Sequence, residues 1–366
     1  MKKIQRNKYL AYASNLKREE IKQIATYVLW LPDQIIDCHA HCNLDIHVKS
    51  LSPTVYNHMM STFPSFNLDE SESWTKVLLP GKDVQHLRFP HAFPGIDHRA
   101  ANTYLLENSP DKDLVAIYGI PNDIPYTIET LNHPRASALK MYYLYLDPPA
   151  KDVYQFFPTQ VLKEAERLKK PIILHLPSPL PQCVDQVERL AQDFPELKIC
   201  LAHLGVCETV TSELESAFRK IRPYPNINMD TALVPSSKVV SLAYDVLGLK
   251  RIMYGSDAPL NLIRSVWYQN PELGTRLATE FPYHWANPSE YVKYKHLALN
   301  SIHAQWTALG AIHSFFDGKW GPERIQAKLA IFHSNAKIFF GFPDYEPTRP
   351  CNTIPNLQNS NEQTLK

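Results

Sequence analysis

The sequence predicts an α/β fold in which eight parallel strands close into a barrel. From residue 34 onward, short apolar runs alternate with amphipathic helical segments, and eight such runs can be counted. Runs that are apolar throughout suit strands buried on both faces, as in a parallel sheet. No G-x-G-x-x-G motif follows any run, so nothing favours an open dinucleotide-binding sheet. We therefore expect a (β/α)8 TIM barrel over residues 34–345.

A helix is expected ahead of the barrel. Five apolar residues follow the spacing of one helix face, namely Ile21, Ile24, Ala25, Val28 and Leu29. Pro32 ends the pattern, because proline disrupts the interior of a helix. We expect residues 1–33 to form an N-terminal helical extension on the outside of the barrel.

Eight segments have the composition of buried strands: residues 34–39, 76–79, 114–120, 137–141, 171–176, 198–203, 226–230 and 251–254. The helices between them are clearest in the second half of the barrel. Residues 160–169 and 182–194 each place apolar side chains on one stripe and charged side chains opposite it. Strands that alternate with such helices are typical of βα units.

Two long segments interrupt this alternation. Residues 42–74 follow the first strand, and residues 258–295 follow the last strand and are rich in Trp, Tyr, Pro and Asn. In a barrel these are βα loops on the catalytic face, so we expect them to cap the active site. Residues 346–366 are polar, with Pro, Asn and Gln, and are expected to be a disordered tail.

The composition argues against several classes of partner. The chain has 38 basic and 37 acidic residues and a net charge of +1, so we expect no polyanion-binding surface and no nucleic-acid partner. No run of about 18 apolar residues is present, so a membrane span is not expected. A cytoplasmic location is the default expectation, and a homo-oligomer is compatible with this composition.

Ionisable residues recur at the ends of the predicted strands. The first strand ends in His39 and His41, the fifth in His175, the sixth in His203, and Asp257 follows the eighth. Barrel enzymes carry their chemistry at the carboxyl ends of their strands. Buried imidazoles and carboxylates are costly unless they are paired or bound to a metal. A single histidine here would suggest little, but the group together predicts a metal site.

The spacing of the two histidines on the first strand has a geometric reason. Residues two apart on a strand point to the same side, so Asp37, His39 and His41 are expected on one side, with Ile36, Cys38 and Ala40 facing the helices. Two imidazoles can then hold one ion, and His175 and Asp257 complete a mixed N/O ligand set. Zinc suits these ligands, although Mn or Fe could serve.

The order of the motifs resembles that of the amidohydrolase superfamily, in the amidohydrolase-2 branch that contains aminocarboxymuconate-semialdehyde decarboxylase. D-C-H-A-H at 37–41 resembles the opening D-x-H-x-H. Later segments similar to the branch are A-L-K-M at 138–141, P-I-I-L-H at 171–175, D-F-P-E-L-K at 193–198, L-A-H-L-G at 201–205, Y-G-S-D-A-P at 254–259 and N-A-K-I-F-F-G at 335–341. The resemblance covers about residues 34–341.

This resemblance implies one divalent ion, commonly zinc, with His39, His41, His175 and Asp257 as ligands and His203 beside the metal-bound water. One difference from the branch concerns the fourth strand. Members of the branch often have K-L-H-P, whereas this chain has K-M-Y-Y at 140–143. Lys140 could bind a substrate carboxylate or form a structural ion pair; in other branches of the superfamily, a lysine here is carbamylated and bridges two metals.

The leading functional hypothesis is a hydrolase that uses a metal-activated water on a lactone, amide or related carbonyl substrate. Asp257 would accept the proton of the water, and His203 would orient the water or stabilise the oxyanion. Lys140 and Arg264 could pair with a carboxylate of a small-molecule substrate. The alternatives are non-oxidative decarboxylation of an aromatic or muconate-like acid and a catalytically silent binding barrel. The latter predicts a lost ligand, and none is missing.

Overall fold

Eight parallel strands form the centre of the structure. The computed structural model describes residues 16–49, 66–91, 95–143, 148–270, 274–280, 288–316 and 321–345. The strands pair in chain order, each with the next, and they are β1 Gln34–His41, β2 Asp83–Phe89, β3 Leu114–Tyr118, β4 Ala136–Met141, β5 Ile172–Leu174, β6 Ile199–Leu201, β7 Ile227–Asp230 and β8 Ile252–Met253.

The sheet closes between β1 and the segment that follows β8. Cys38 N donates to Tyr254 O over 3.0 Å, and His41 N donates to Ala258 O over 2.7 Å. In return, Asp257 N donates to His39 O over 2.8 Å. These bonds bring the first and last strands together, so the predicted (β/α)8 barrel is confirmed.

Helices surround the barrel, and their bounds are α1 Arg18–Trp30, α2 Leu68–Leu78, α3 His98–Asn108, α4 Ile124–Leu131, α5 Val153–Phe156, α6 Thr159–Arg167, α7 Leu180–Asp193, α8 His203–Val206, α9 Ser212–Ile221, α10 Ser237–Leu247, α11 Pro288–Tyr294, α12 Ala304–Phe316, α13 Pro322–Leu329 and α14 Asn335–Phe340. The two helices predicted at 160–169 and 182–194 correspond to α6 and α7. Each buries its apolar stripe, as α6 does with Val161, Leu162 and Ala165.

The prediction of the second strand is wrong. Residues 76–79 are the end of α2 and its cap, whereas the strand itself is Asp83–Phe89. The polar residues His86 and Arg88 interrupt the apolar character of this strand, so it does not stand out as an apolar run. Both side chains are buried. The Arg88 guanidinium can be buried because it pairs with Asp113 at 2.6 Å and with Glu72 at 2.6 Å.

One cluster of apolar side chains fills the interior of the barrel. It combines residues from strands on opposite sides, including Ile36, Cys38, Ala138, Cys200 and Met253. The same cluster contains Phe339 and Phe340 of α14 and Phe342 beyond it. Lys198, just before β6, donates to Phe339 O over 2.8 Å, which places α14 at the amino end of the strands. The opposite, carboxyl end is therefore left for chemistry.

The two long loops contain further structure. The segment after β8 forms an antiparallel sheet from β9 Arg264–Asn270, β10 Gly274–Thr279 and β11 Ile302–His303. In the first loop, Asn43 pairs with Phe66 ahead of α2. Helix α1 lies in the predicted N-terminal extension, and Tyr27 stacks on Trp306 of α12. Predictions for residues 1–15, 50–65 and 346–366 fall outside the described residues.

The helices of the described ranges are too short or too polar for a membrane span.

Candidate metal centre

The ionisable residues at the strand ends meet at the carboxyl end of the barrel. His39 and His41 lie on β1, while His175, His203 and Asp257 follow β5, β6 and β8. One oxygen of Asp257, Oδ1, lies 3.3 Å from Nε2 of His39 and 3.1 Å from Nε2 of His41. The donor atoms of these three residues all lie within 4.8 Å of one another.

A β-bulge on β1 sets the direction of the two histidines. The register with β2 shifts between Asp37 and Ala40. Before the shift, Ile36 and Cys38 face the barrel interior, and after it His39 and His41 do so. Asp37 therefore points toward the helices, where it lines a small cavity with Trp74 and Leu78. The expected sharing of one face by Asp37, His39 and His41 is wrong, because a bulge inserts an extra residue into the alternation.

Asp37 joins the two segments that carry the ligands. Its Oδ1 accepts hydrogen bonds from His39 N over 3.1 Å and from Ser256 N over 2.8 Å. Its Oδ2 accepts a bond from the hydroxyl of Ser256, the residue before Asp257. The carboxylate holds the backbone at His39 against the backbone at Ser256 and makes no hydrogen bond to a histidine ring among the described contacts.

Each of the four histidines has its Nδ1 against an acceptor. Nδ1 of His39 lies 2.9 Å from Oδ2 of Asp230. Backbone carbonyl oxygens take this place for the other three: Pro90 O at 2.9 Å for His41, Leu176 O at 3.1 Å for His175, and Ala232 O at 2.8 Å for His203. Carbonyl and carboxylate oxygens only accept, so the hydrogen lies on Nδ1 in each ring. In a neutral ring, Nε2 then carries a lone pair.

This arrangement fits a cation. Oδ1 of Asp257 faces Nε2 of His39 at 3.3 Å and Nε2 of His41 at 3.1 Å, and with neutral rings all three atoms are acceptors. Acceptors at such distances repel unless a positive charge lies between them. The second nitrogen of each ring is bonded to the protein, which is the usual arrangement for histidines that ligate metals. His39, His41 and Asp257 thus form a suitable donor set for a divalent ion.

The pKa shifts of the histidines and of Asp257 fit this set of metal donors. Burial lowers the pKa of His41 and of His203, and it lowers that of His175 well below its usual range. Burial alone would raise the pKa of Asp257, but His39 and His41 hold it well below its usual range. Burial would lower the pKa of His39 as well, but the charges of Asp230 and Asp257 raise it. Neutral rings at His41, His175 and His203 beside an ionised Asp257 are the protonation states that a metal ion requires, and a bound ion would displace the proton from His39.

His175 and His203 continue the group across the barrel. The ring of His203 lies 4.9 Å from that of His39 and 5.1 Å from that of His175, centre to centre. Neither ring belongs to the group of His39, His41 and Asp257, whose donor atoms lie within 4.8 Å of one another. Both histidines are half-buried, so this side of the centre is open to a substrate.

Backbone strain accompanies two of these residues. His203 has a φ of 56° and Asp257 a φ of 61°, both in the left-handed region that side chains other than glycine rarely adopt. His203 N donates to Oδ1 of Asp230 over 2.9 Å, and Asp257 N donates to His39 O. These hydrogen bonds keep both residues in the strained backbone conformation, as is common at functional sites.

Asp230 was missed by the sequence reasoning. It ends β7, is fully buried, and accepts hydrogen bonds from the ring of His39 and from the backbone of His203 and Ala232. Burial alone would raise its pKa, but His39 and His203 lower it to about 2. The signal was available, because an acid at a strand end was the criterion that selected Asp257.

Lys140 lies below the histidines on β4. It is 1% exposed, and its Nζ has no hydrogen-bond partner among the residues that the structure describes. Nζ lies 5.1 Å from the centre of the Phe89 ring. Burial lowers the pKa of this ammonium, while the charges of Asp230 and Asp257 raise it. The structure therefore brings Lys140 to the centre.

Arg264 has a different partner from the one expected. It begins β9 and is buried, and its guanidinium forms two hydrogen bonds with Glu20 of α1, at 2.9 Å and 2.8 Å. It is therefore not a solvated loop arginine. Its carboxylate partner belongs to this chain, so the expected contact with a substrate carboxylate is corrected to a structural ion pair between α1 and β9.

Comparison with known proteins gives one family match by sequence. The family model described as amidohydrolase matches residues 36–303. No curated protein matches the sequence.

Solved structures share the fold at low sequence identity. A protein from Pseudomonas putida described as a 2-pyrone-4,6-dicarboxylic acid hydrolase has a TM-score of 0.56 at 14% identity, over 86% of this chain and 100% of the other. An amidohydrolase from Burkholderia multivorans with bound zinc has 0.55 at 12%, over 85% and 100%. The 5-carboxyvanillate decarboxylase of Sphingomonas paucimobilis has 0.54 at 15%, over 85% and 100%.

Proposed function

The chain belongs to the amidohydrolase family, and from this premise we propose that it is a metal-dependent hydrolase of a small carboxylate that contains a lactone, amide or related carbonyl bond. The observation that carries the proposal is the convergence of two imidazole nitrogens on one oxygen of Asp257 at 3.1–3.3 Å. Acceptors arranged in this way suit a divalent ion.

We assign His39, His41, His175 and Asp257 as the residues that would hold the ion. Zinc is the proposed metal, because mixed nitrogen and oxygen donors suit it and because the Burkholderia structure with the same fold contains zinc. When bound, such an ion lowers the pKa of water to about 7 and so supplies a nucleophile at neutral pH.

Asp257 and His203 are the proposed catalytic residues. The carboxylate of Asp257 is ionised and buried, so its second oxygen can accept a proton from the attacking water. His203 directs Nδ1 to Ala232 O and keeps Nε2 as an acceptor toward the centre. It therefore orients the water by accepting a hydrogen bond, and the expected role in oxyanion stabilisation is less suited to this tautomer.

Lys140 is the proposed partner of the substrate carboxylate. A buried ammonium is costly without an acceptor, and Lys140 has none among the described residues. A carboxylate that enters beside the histidines would supply that acceptor through a charge-assisted hydrogen bond. The substrate class is therefore a carbonyl compound that bears at least one carboxylate.

A small substrate panel tests the proposal. Zinc-loaded protein is incubated with dihydrocoumarin, with 2-pyrone-4,6-dicarboxylate and with 2,6-dihydroxybenzoate, and the products are identified. Ring opening of a lactone, lost in His39→Ala, supports the hydrolase. Release of CO2 from the benzoate without lactone opening would overturn it in favour of a decarboxylase. Zinc binding without any turnover would indicate the silent binding barrel.

A further inference from the structure

Two tyrosines follow the fourth strand at the point where the chain departs from the K-L-H-P pattern of its branch. Lys140 and Tyr142 are two residues apart, so strand alternation directs both side chains to the inside of the barrel. Tyr142 lies nearer the mouth of the barrel, which is the opening at the carboxyl ends of the strands. Met141 between them belongs to the outer apolar core. Lys140 is buried, whereas Tyr142 is half-buried and can be reached from the mouth.

Tyr142 packs directly on a proposed metal ligand. Its ring lies 4.5 Å from that of His175, centre to centre, at an interplanar angle of 70°. Tyr143 lies 4.8 Å from Tyr142 and 5.7 Å from His175. Edge-to-face contacts of this kind are favourable and fix the position of both rings. The phenol of Tyr142 is therefore held beside the centre, where its hydroxyl also hydrogen-bonds with that of Tyr143.

The hydrolysis of a carbonyl bond needs a donor that the histidines do not supply. Negative charge develops on the carbonyl oxygen, and preorganised donors stabilise it. His203 uses its N–H toward Ala232 O, and His175 uses its N–H toward Leu176 O. Lys140 is assigned to the substrate carboxylate. The hydroxyl of Tyr142 is a neutral donor at the same mouth.

We propose that Tyr142 contacts the substrate, and that its hydroxyl donates a hydrogen bond to the oxygen of the reacting carbonyl group. The proposal rests on the proposed function, since it names a further residue of the same site. Tyr142 then has two roles: its ring packs on His175 and supports it, and its hydroxyl contacts the substrate.

The test removes the hydroxyl and keeps the ring. In zinc-loaded Tyr142→Phe, kcat for 2-pyrone-4,6-dicarboxylate is expected to fall about 100-fold, as for loss of an oxyanion donor, while KM and zinc content stay close to wild type. The matched control is Tyr224→Phe, which removes a phenol hydroxyl that bonds Glu188 away from the centre and is expected to keep kcat within about threefold. Wild-type kcat in Tyr142→Phe, or loss of zinc from it, would overturn the proposal.

A binding measurement separates this inference from the proposed function. Phenylphosphonate, whose tetrahedral anionic oxygens resemble the transition state, is titrated into both proteins by calorimetry, and Tyr142→Phe is expected to bind it about 10-fold more weakly. If wild type opens no lactone, the hydrolase proposal fails and this titration still tests Tyr142. Equal affinity in both proteins, or no binding to wild type, would overturn the role of Tyr142.

Discussion

Asp230 accepts a hydrogen bond from Nδ1 of His39 over 2.9 Å, at a position where both side chains are almost completely buried. The same carboxylate accepts a bond from the backbone of His203. One acid on β7 therefore fixes the ring of a proposed ligand on β1 and the start of the turn that carries a proposed catalytic histidine. Burial lowers the pKa of His39, but the charge of Asp230 raises it and so makes Nε2 a more basic donor to a metal.

Replacement of Asp230 is expected to weaken metal binding without removing a ligand. Asp230→Asn keeps the size of the side chain and loses the charge, so the affinity for zinc is expected to fall about 10- to 100-fold. Zinc affinity is measured by competition with a chelator. Asp245→Asn, on the exposed side of α10, is the control and is expected to bind zinc like wild type. Unchanged affinity in Asp230→Asn would show that the carboxylate has no part in the centre.

The contact between Asp37 and Ser256 is expected to stabilise the fold. Ser256→Ala removes one hydrogen bond to a buried carboxylate, so the free energy of unfolding is expected to fall by about 1.5–3 kcal/mol. Urea denaturation checks this value. Because Ser256 precedes Asp257, zinc affinity should fall as well. A variant as stable as wild type would contradict the role given to Asp37 in joining β1 to the segment after β8.

Acid sensitivity is expected from Asp113. Burial alone would raise the pKa of this carboxyl, but Arg88 and His86 hold it well below its usual range. A depressed pKa in the folded state gives stability that is present above the unfolded pKa of about 3.9 and is lost as the pH falls below it. Urea denaturation of Asp113→Asn should therefore show lower stability at pH 7 and a weaker decline below pH 4. Asp111→Asn, at an exposed neighbouring residue, should decline like wild type. An acid decline in Asp113→Asn as steep as in wild type would disprove this assignment.

Lys140 and Arg264 are two buried cations with opposite expected behaviour. Arg264→Met leaves Glu20 buried without its partner, so stability is expected to fall by about 3–5 kcal/mol while carboxylate affinity is unchanged. Lys140→Met removes an ammonium that has no hydrogen-bond partner among the described residues, and benzoate affinity is expected to fall about 10-fold or more. Calorimetric titration with benzoate and thermal unfolding measure both variants. Benzoate affinity that depends on Arg264 and not on Lys140 would reverse the assignment.

Much of the fold could be predicted because seven of the eight strands are apolar runs flanked by amphipathic helices. The exception is β2, whose outer face carries the buried polar side chains of His86 and Arg88, and hydropathy alone cannot show that Asp113 and Glu72 lie opposite them. The strand-end rule located His39, His41, His175, His203 and Asp257, because parallel strands in one barrel bring their carboxyl ends together.

The sequence could not show how individual side chains turn. Strict alternation places Asp37 on the same face of β1 as His39, but a single bulge puts the two on opposite faces. No residue type among the five residues 37–41 indicates this bulge. Arg264 appeared available to a substrate because its partner, Glu20, lies 244 residues away in the chain. Contacts of this length depend on the packing of α1 against β9, which local patterns do not encode.

Metal analysis of the purified protein shows whether His39, His41, His175 and Asp257 hold an ion. Protein incubated with zinc and freed of unbound ion is analysed for metal per chain, together with Asp257→Asn and His203→Asn. We expect one zinc ion per chain in wild type and in His203→Asn, and none in Asp257→Asn. Wild type without bound metal, full zinc in Asp257→Asn, or two ions per chain with a carbamate on Lys140 would contradict this expectation.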